Sequence, residues 1–319
     1  MTLPMRNETC ILIPFLNRLA MVAQLLEHLL KDLPEQTVVL LVDDGSPVMA
    51  ETSRELSPYL KDERIHILNH PVNRGPAAAR NTGIQWCRQQ QIKVVILLDS
   101  DCVPDPGMVR HHLLLLERHP DMDCIGGAII GVGSGFWAHL DRVLSWFTSL
   151  PELPAGEILA PLHLPTTNLS FRLDRLAHFD RLFEPRYKTG EDVDFVWKVR
   201  AQGGKIFFSP DPVVRHRDRE TLHAVIKHQY RWALHTYIVR TGLGQDTVLR
   251  RIGFAGVFLM LSPLYVAVAT YLTMRPWGSG RPVFLLYLPF VVLVYFIKIM
   301  GVLSGTIAPN QALYPETKD

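Results

Sequence analysis

Four short, uninterrupted apolar runs mark the first third of the chain: CILIPF at residues 10–15, TVVLLVDD at 37–44, RIHILN at 64–69 and KVVILLDSD at 93–101. Each is largely β-branched and shorter than an ordinary helix, which reads as a strand. Between them the apolar spacing switches to the helical period. Leu19, Val22, Leu26, Leu29 and Leu30 share one face of residues 18–33, and helical patterns follow at 51–60 and 76–91. Strand and helix thus alternate in β-α-β units. Continuous hydrophobicity within the strands predicts burial on both faces, hence an α/β fold with a Rossmann-like, mostly parallel sheet sandwiched by helices.

From residue 122 the order changes. CIGGAIIGVGSG reads as a strand that breaks into a glycine-rich loop, 136–149 as an amphipathic helix, and 150–165 as a proline-punctuated segment expected to be mobile. Gly131, Gly133 and Gly135 are not read as a phosphate loop, because no helix follows them with the expected spacing. TTNLSFR is a further short strand, and 191–202 a helix stopped by Gly203 and Gly204. After KIFFSPDPVVRH, residues 219–240 form an amphipathic helix rich in His, Arg and aromatics, suited either to a membrane interface or to packing on the core.

The last sixth of the chain is chemically different. Charges are interspersed up to Arg251, but between Gly253 and Ser304 only Arg275, Arg281 and Lys298 occur. Residues 254–274 would make a helix ~32 Å long and 283–304 a similar one, each enough to cross ~30 Å of hydrocarbon. The expectation is a C-terminal two-helix transmembrane hairpin joined by RPWGSGR, with kinks at Pro263 and Pro289. Lys298 must then snorkel, face the partner helix or lie in a wet site. The alternative is a pair of long core helices. The resulting division is 1–218 for the α/β domain, 219–250 for the amphipathic helix and linker, and 251–319 for two spans and a tail.

Composition narrows the class. Of 319 residues, 33 are Lys or Arg and 31 Asp or Glu, a net charge of +2 that gives no field for nucleic acid. Cys10, Cys87, Cys102 and Cys124 are scattered without metal-ligand spacing and fit reduced thiols. MTLPMRNETCILIPF has too short an apolar run for a signal peptide, so the α/β part is expected in the cytoplasm, on the membrane.

In open α/β sheets ligands bind beyond the carboxyl ends of the strands. Asn17, then Asp43 and Asp44, then Asn73 and Arg74, then Asp99 and Asp101 fall at those ends, so four strands deliver polar groups to one edge. In an extended chain Asp99 and Asp101 point to one side, ~7 Å apart. Two hard oxygen ligands suit Mg²⁺ or Mn²⁺ completed by substrate phosphates, although Asp-x-Asp is also a common turn. Glu191 and Asp192 open a helix, as caps or as a general base. His216 at a strand end is a metal ligand or a surface histidine.

In order, ILIPFLNR, VVLLVDDGS, NRGPAAARNTG, VILLDSDCVPDP, TTNLSFR, TGEDVDFVWKVRAQG and VVRH resemble the motif series of family 2 glycosyltransferases with the GT-A fold, over residues 9–241. The resemblance implies an inverting, metal-dependent enzyme of hexosyltransferase type that uses a nucleotide-sugar donor, usually a UDP-sugar. It implies that Pro14 and Asn17 line the nucleotide cleft. Asp44 would contact base or ribose with Asp43 beside it, and Arg74 and Arg80 would lie near base and phosphates. Asp99 would face ribose or the metal shell, Asp101 would be the metal ligand proper, and His216 would complete that site. Asn168 would belong to the acceptor or donor-sugar loop. Asp192, with Glu191 beside it, would be the base. Processive synthases of the family carry Gln-x-x-Arg-Trp. Here HQYRW keeps Arg231 and Trp232, on the acceptor or diphosphate side, but has His228 in place of the glutamine. Together with few spans, this implies single transfer to a membrane-associated acceptor at the lipid bilayer, such as a polyprenyl phosphate, a lipid-linked saccharide or a glycolipid. A small processive synthase, a non-catalytic nucleotide-sugar-binding assembly protein and a nucleotidyltransferase are the rivals.

Overall fold

Strands β1 (Thr9–Phe15) and β2 (Thr37–Asp43) are buried along their whole length and pair in parallel, with Thr9 beside Thr37 and Phe15 beside Asp43. Their alternate residues feed two separate cores. Ile11, Ile13, Val39 and Leu41 pack with α1 (Leu19–Leu29), while Leu12, Leu40 and Val42 pack with α2 (Pro76–Gln89). This two-sided burial is why the strands carry no polar alternation. The computed structural model of the chain describes residues 8–50, 53–159, 162–241, 247–277 and 282–314. The readings made for the N-terminal residues 1–7, the start of the 51–60 helix, residues 160–161, the linker at 242–246 and the glycine-containing link at 278–281 lie outside the described residues.

The remaining strands are β3 (Ile65–Asn69), β4 (Val94–Leu98), β5 (Cys102–Pro104), β6 (Cys124–Val132), β7 (Gly156–Glu157), β8 (Asn168–Arg172) and β9 (Ile206–Arg217). Among the described residues they form one nine-stranded sheet in the order β3-β2-β1-β4-β8-β6-β9-β5, with β7 added on β9. β3, β2, β1 and β4 are parallel neighbours, β8 runs antiparallel between β4 and β6, and β6 pairs in parallel with β9. The sheet is mixed and mostly parallel, as the apolar runs predict. Helices α3 (Met108–Arg118), α4 (Phe136–Ser145) and α5 (Glu191–Ala201) follow, and Gly203 at φ +80° ends the last turn of α5.

Several expectations are corrected. Residues 54–61 form successive turns and not a helix, because Pro58 has no N–H to donate within the run. α3 was not foreseen. The proline-punctuated segment is tied down in part: β7 pairs with β9, and Arg200 bonds the carbonyls of Ile158 and Leu162. Strand β4 stops at Leu98, so Asp99 and Asp101 sit in a turn closed by the Cys102 N–H on Asp99 O at 3.1 Å, and the extended-chain spacing does not apply.

At the C-terminal end lie α6 (Leu222–Thr241), α7 (Val248–Met274) and α8 (Leu288–Ile307). The first is mainly a packed helix: Val225, Ala233, Leu234, Tyr237 and Ile238 are buried. Gly301 and Gly305 of α8 lie directly on its backbone, where a Cβ on Gly301 would be 2.8 Å from Tyr230 O and one on Gly305 1.9 Å from Leu234 O. Helices α7 and α8 are long and apolar enough to cross a membrane. Pro263 lies inside α7, whereas Pro289 falls in the first turn of α8, where its missing N–H leaves no partner unsatisfied. Lys298 Nζ lies 5.0 Å from the centre of the Tyr295 ring.

Candidate active site

The ends of β1 and β2 build one wall. Asp43, opposite Phe15, accepts the Ser46 N–H on Oδ1 at 2.9 Å, and Ser46 Oγ accepts the Asn17 N–H at 2.8 Å. Asn17 has φ +55°, a left-handed conformation that asparagine tolerates better than most residues. Gly45 is required: at φ +85° a Cβ there would lie 2.6 Å from the Val72 backbone. Asp44 turns away to anchor the next loop. Its Oδ1 accepts from His70 Nδ1 at 2.7 Å and from the Arg74 N–H at 2.9 Å, and its Oδ2 from the Gly75 N–H at 2.7 Å. The carboxylate can only accept, so His70 Nδ1 carries a proton, and Nε2 lies 2.9 Å from Thr82 Oγ1. Pro14 is buried in β1 beside this wall.

Arg80 joins two further elements. It projects from α2, is 3% exposed, and donates from Nη1 to Glu191 Oε1 at 2.6 Å and from Nη2 to Asp99 Oδ1 at 2.8 Å. Its guanidinium lies 5.6 Å from the centre of the Phe183 ring, and Asn81 fixes residue 183 through both of its backbone groups, at 2.7 and 3.1 Å. Thr167 Oγ1 donates to Asp99 Oδ2 at 2.8 Å. Burial works to lower the Arg80 pKa, but Asp99 and Glu191 outweigh it and hold the group above its ordinary value. Burial pushes Glu191 up, with Asp192 adding to the rise and Arg80 opposing it. Asp192 is raised too, by burial first and by the charge of Asp99, against the Val193 N–H that bonds its Oδ1 at 2.8 Å. A raised carboxyl at a cleft is suited to proton transfer.

Asp101 faces the other way from Asp99. It bonds Arg18 Nη1 at 2.5 Å, and its Oδ1 is 3.5 Å from His216 Nε2. β9 brings that histidine opposite Cys102, its ring is 4.7 Å from that of Trp146, and it is buried with no hydrogen-bond partner for Nδ1 among the described residues. Although burial favours the neutral acid, His216 and Arg18 hold the Asp101 carboxyl below its ordinary value. Among the described residues no three His, Cys, Asp or Glu side chains gather as a closed metal site. The pair nevertheless fits part of one. Two ligands ~2.1 Å from one octahedral ion lie roughly 3 Å apart, and Mg²⁺ takes its remaining ligands from substrate phosphates and water. A cavity of about 270 Å³ opens beside the pair, lined by Met21, Gln24, Asp101 and Arg215 among others.

Not every expected residue comes to this cluster. Asn168 does not: it is 1% exposed, its Oδ1 accepts from His112 Nε2 at 2.8 Å, and its Nδ2 donates to the carbonyls of Ala128 and Pro212, both at 3.0 Å. Thr167 stands in the turn just before β8 and reaches Asp99, while Asn168, the first residue of the strand, pins β8 to its neighbours. Burial pushes the His112 pKa down to about 4, keeping that ring neutral. Arg74 is held by its backbone and lines a second cavity of about 800 Å³ along α2. Arg231 is exposed on α6, and the ring of Trp232 lies 4.2 Å from that of His228; neither is bonded to the carboxylate cluster. Arg18, His70 and Thr167 were not singled out from sequence, although each stands inside or beside a quoted motif.

The family model for glycosyl transferase family 2 matches residues 10–182. Among curated proteins, the pre-mycofactocin glycosyltransferase of Mycobacterium tuberculosis is 28% identical over 192 residues, 58% of this chain and 38% of that protein. An uncharacterized glycosyltransferase of Rickettsia felis is 36% identical over 192 residues, 58% of this chain and 29% of that protein. The chain therefore spans well under half the length of these two relatives. Among solved structures, S. aureus TarS 1-349 in complex with UDP aligns with a TM-score of 0.53 at 19% identity, over 97% of this chain and 93% of that one. GalNAc-T7 with UDP, GalNAc and Mn²⁺ aligns with a TM-score of 0.50 at 15% identity, over 73% of this chain and 51% of that one. At such identities the likeness is one of fold.

Proposed function

The chain belongs to glycosyl transferase family 2 and has a GT-A-like α/β architecture, and we propose that it moves a hexosyl group from a UDP-sugar to a membrane-associated acceptor, in single transfers that invert the anomeric carbon. The observation that carries this reading is the Arg80 bridge. By bonding Asp99 and Glu191 it draws the Asp-x-Asp turn and the start of α5 into one cleft, with Asp101 and His216 alongside. The two structural neighbours that hold UDP, one of them also with Mn²⁺, support the choice of nucleotide and of cation.

In this reading Asp43, Asn17, Pro14 and Arg74 receive the nucleoside end of the donor. Asp44 acts through the loop that it anchors, since three of its acceptor sites are already taken. An acceptor hydroxyl attacks the anomeric carbon from the side opposite the leaving diphosphate. The new C–O bond forms as the bond to the diphosphate breaks, UDP leaves with the electron pair, and Asp192 takes the hydroxyl proton. For a phosphate acceptor, already ionised, Asp192 positions the nucleophile instead. A divalent cation held by Asp101 and His216 would neutralise charge on the departing diphosphate. Arg80 opposes the upward shift that burial and Asp192 impose on Glu191.

The apolar surface supports a membrane acceptor. Leu249, Met260 and Leu264 on α7 are 80%, 70% and 62% exposed, and Leu286, Phe296 and Met300 near or on α8 are 62%, 54% and 63% exposed. Contiguous exposure of this kind marks a surface that water does not normally cover. A polyprenyl phosphate, lipid-linked saccharide or glycolipid would be presented there, with the α/β body on the cytoplasmic side. Substituting Asp192→Asn tests the chemistry: transfer should fall about 10²- to 10⁴-fold while UDP affinity stays within about twofold. Wild-type turnover in that variant would remove Asp192 from the role of base.

A further inference from the structure

The C-terminal segment does not stop at α8. A 3-10 turn, Pro309–Ala312, leads the chain back to the α/β body. There Leu313 forms an antiparallel bridge with Tyr187, the Tyr314 N–H donates to Arg186 O at 2.8 Å, and Lys188 Nζ donates to Gln311 O at 3.0 Å. Residues 311, 313 and 314 are thus each tied to the stretch 186–188, which leads into α5 and its carboxylates.

These ties set the Tyr314 ring on Gly75. A Cβ at Gly75 would lie 2.5 Å from Tyr314 Cε2 and 3.0 Å from Cζ, so glycine is needed there for the ring as well as for its φ of +90°. Gly75 is also the residue whose N–H Asp44 holds, at the nucleoside wall of the cleft. Burial raises the Tyr314 pKa, and the charges of Asp44 and Glu191 raise it further, as befits a phenol between the two carboxylate arms of the site. The ring is only partly buried, and Lys188 Nζ lies 5.9 Å from its centre.

We propose that Tyr314 forms a wall of the donor's nucleoside pocket, its aromatic ring covering the base or ribose above Gly75, so that the segment beyond the apolar helices completes the nucleotide site. The proposal rests on the glycosyltransferase reading and names a positioning residue within it. Polar groups dominate the rest of this wall, through Asn17, Asp43, Arg74 and the backbone of Gly75. A base bound only by hydrogen bonds there would compete with water, whereas an aromatic face adds an attraction that tolerates any base. Since residues 309–314 follow α8 directly, the set of the apolar helices also bears on how well the pocket is closed.

The test compares the purified full chain with Tyr314→Ala, Tyr314→Leu and Tyr314→Phe, titrated with UDP, UMP and Mg²⁺-pyrophosphate. Tyr314→Ala and Tyr314→Leu should weaken UDP and UMP alike by about tenfold and leave pyrophosphate unchanged. Tyr314→Phe should bind as the wild type does. In turnover, the donor KM should rise by the same factor while kcat stays within about twofold. The leucine variant keeps an apolar contact on Gly75, so it preserves the test if alanine loosens the segment. Unchanged or tighter UDP binding in both variants, or an equal loss for pyrophosphate, would overturn the proposal alone. A wild-type chain that binds no nucleoside diphosphate would overturn the glycosyltransferase reading and this proposal with it.

Discussion

A buried guanidinium bonded to two carboxylates from different elements is held by geometry as much as by charge. Arg80 satisfies one oxygen each of Asp99 and Glu191, and Thr167 takes the second oxygen of Asp99. A lysine could not reach both with a planar fork. The pair Glu191 and Asp192, both raised, gives a pH signature with a definite sign. Between the ordinary carboxyl value and the raised one, the folded chain binds more protons than the unfolded chain, so stability falls as pH rises through that interval. With Asp192 as the proposed base for a hydroxyl acceptor, its ionised form is the active one, so kcat/KM should climb over the same interval. A pH profile should show an acid limb with its midpoint above ~3.9, the ordinary aspartate value; a midpoint at or below it would contradict Asp192 as base. Asn168 separates position in a motif from position in space. It lies one residue from Thr167, and the boundary between the turn that holds Thr167 and the strand that starts at Asn168 separates their contacts. Asn168→Ala should cost about 1–3 kcal/mol of stability by stripping partners from His112 and two carbonyls. The donor KM should not move, and denaturant unfolding paired with steady-state kinetics separates the two effects.

At the scale of elements, the four strands of the first hundred residues and the helices α1 and α2 were legible because their patterns are distinct: strands packed on both faces do not alternate, and the two helices repeat at the helical period. Elsewhere the pattern failed. Residues 51–60 carried helical spacing, but Pro58 cut it into turns. α3 hides its periodicity because its buried face includes His112 along with Met108, Val109, Leu115 and Leu116. The most consequential element-level contact is GVLSG in α8, whose two glycines let its backbone lie on α6. One side of α8 therefore faces protein, and α7 carries most of the outward apolar surface. Gly305→Leu has no room against Leu234 O and should destabilise the fold by about 1–3 kcal/mol or more. Gly256→Leu on α7 has open space around it and should be close to neutral. Thermal unfolding of the two variants in the same detergent checks the contrast; equal Tm values would show that the α6–α8 contact is not close.

For the whole molecule, four strand ends, an inserted antiparallel strand and a helix start converge on one cleft, while the C-terminal helices pack beneath it through α4 and α6. Phe136 stacks on Tyr287 at 4.7 Å between ring centres, and Trp137 meets Phe290 edge-on at 5.4 Å, so the hairpin is joined to the α/β body by aromatic contacts. The cleft itself was readable from strand-end chemistry. The returning tail was not, because no periodicity or composition marks a six-residue segment whose role depends on where a preceding helix delivers it. In the proposed reaction this cleft takes a sugar from UDP and delivers it to a lipid-borne acceptor. The most direct measurement places the full chain in a bilayer containing polyprenyl phosphate or glycolipid, supplies radiolabelled nucleotide sugars with Mg²⁺ or Mn²⁺, and analyses both products. Free UDP should appear in the aqueous phase with an equal amount of label in the lipid phase. Release of pyrophosphate, or label that never enters the lipid phase while UDP accumulates, would contradict it.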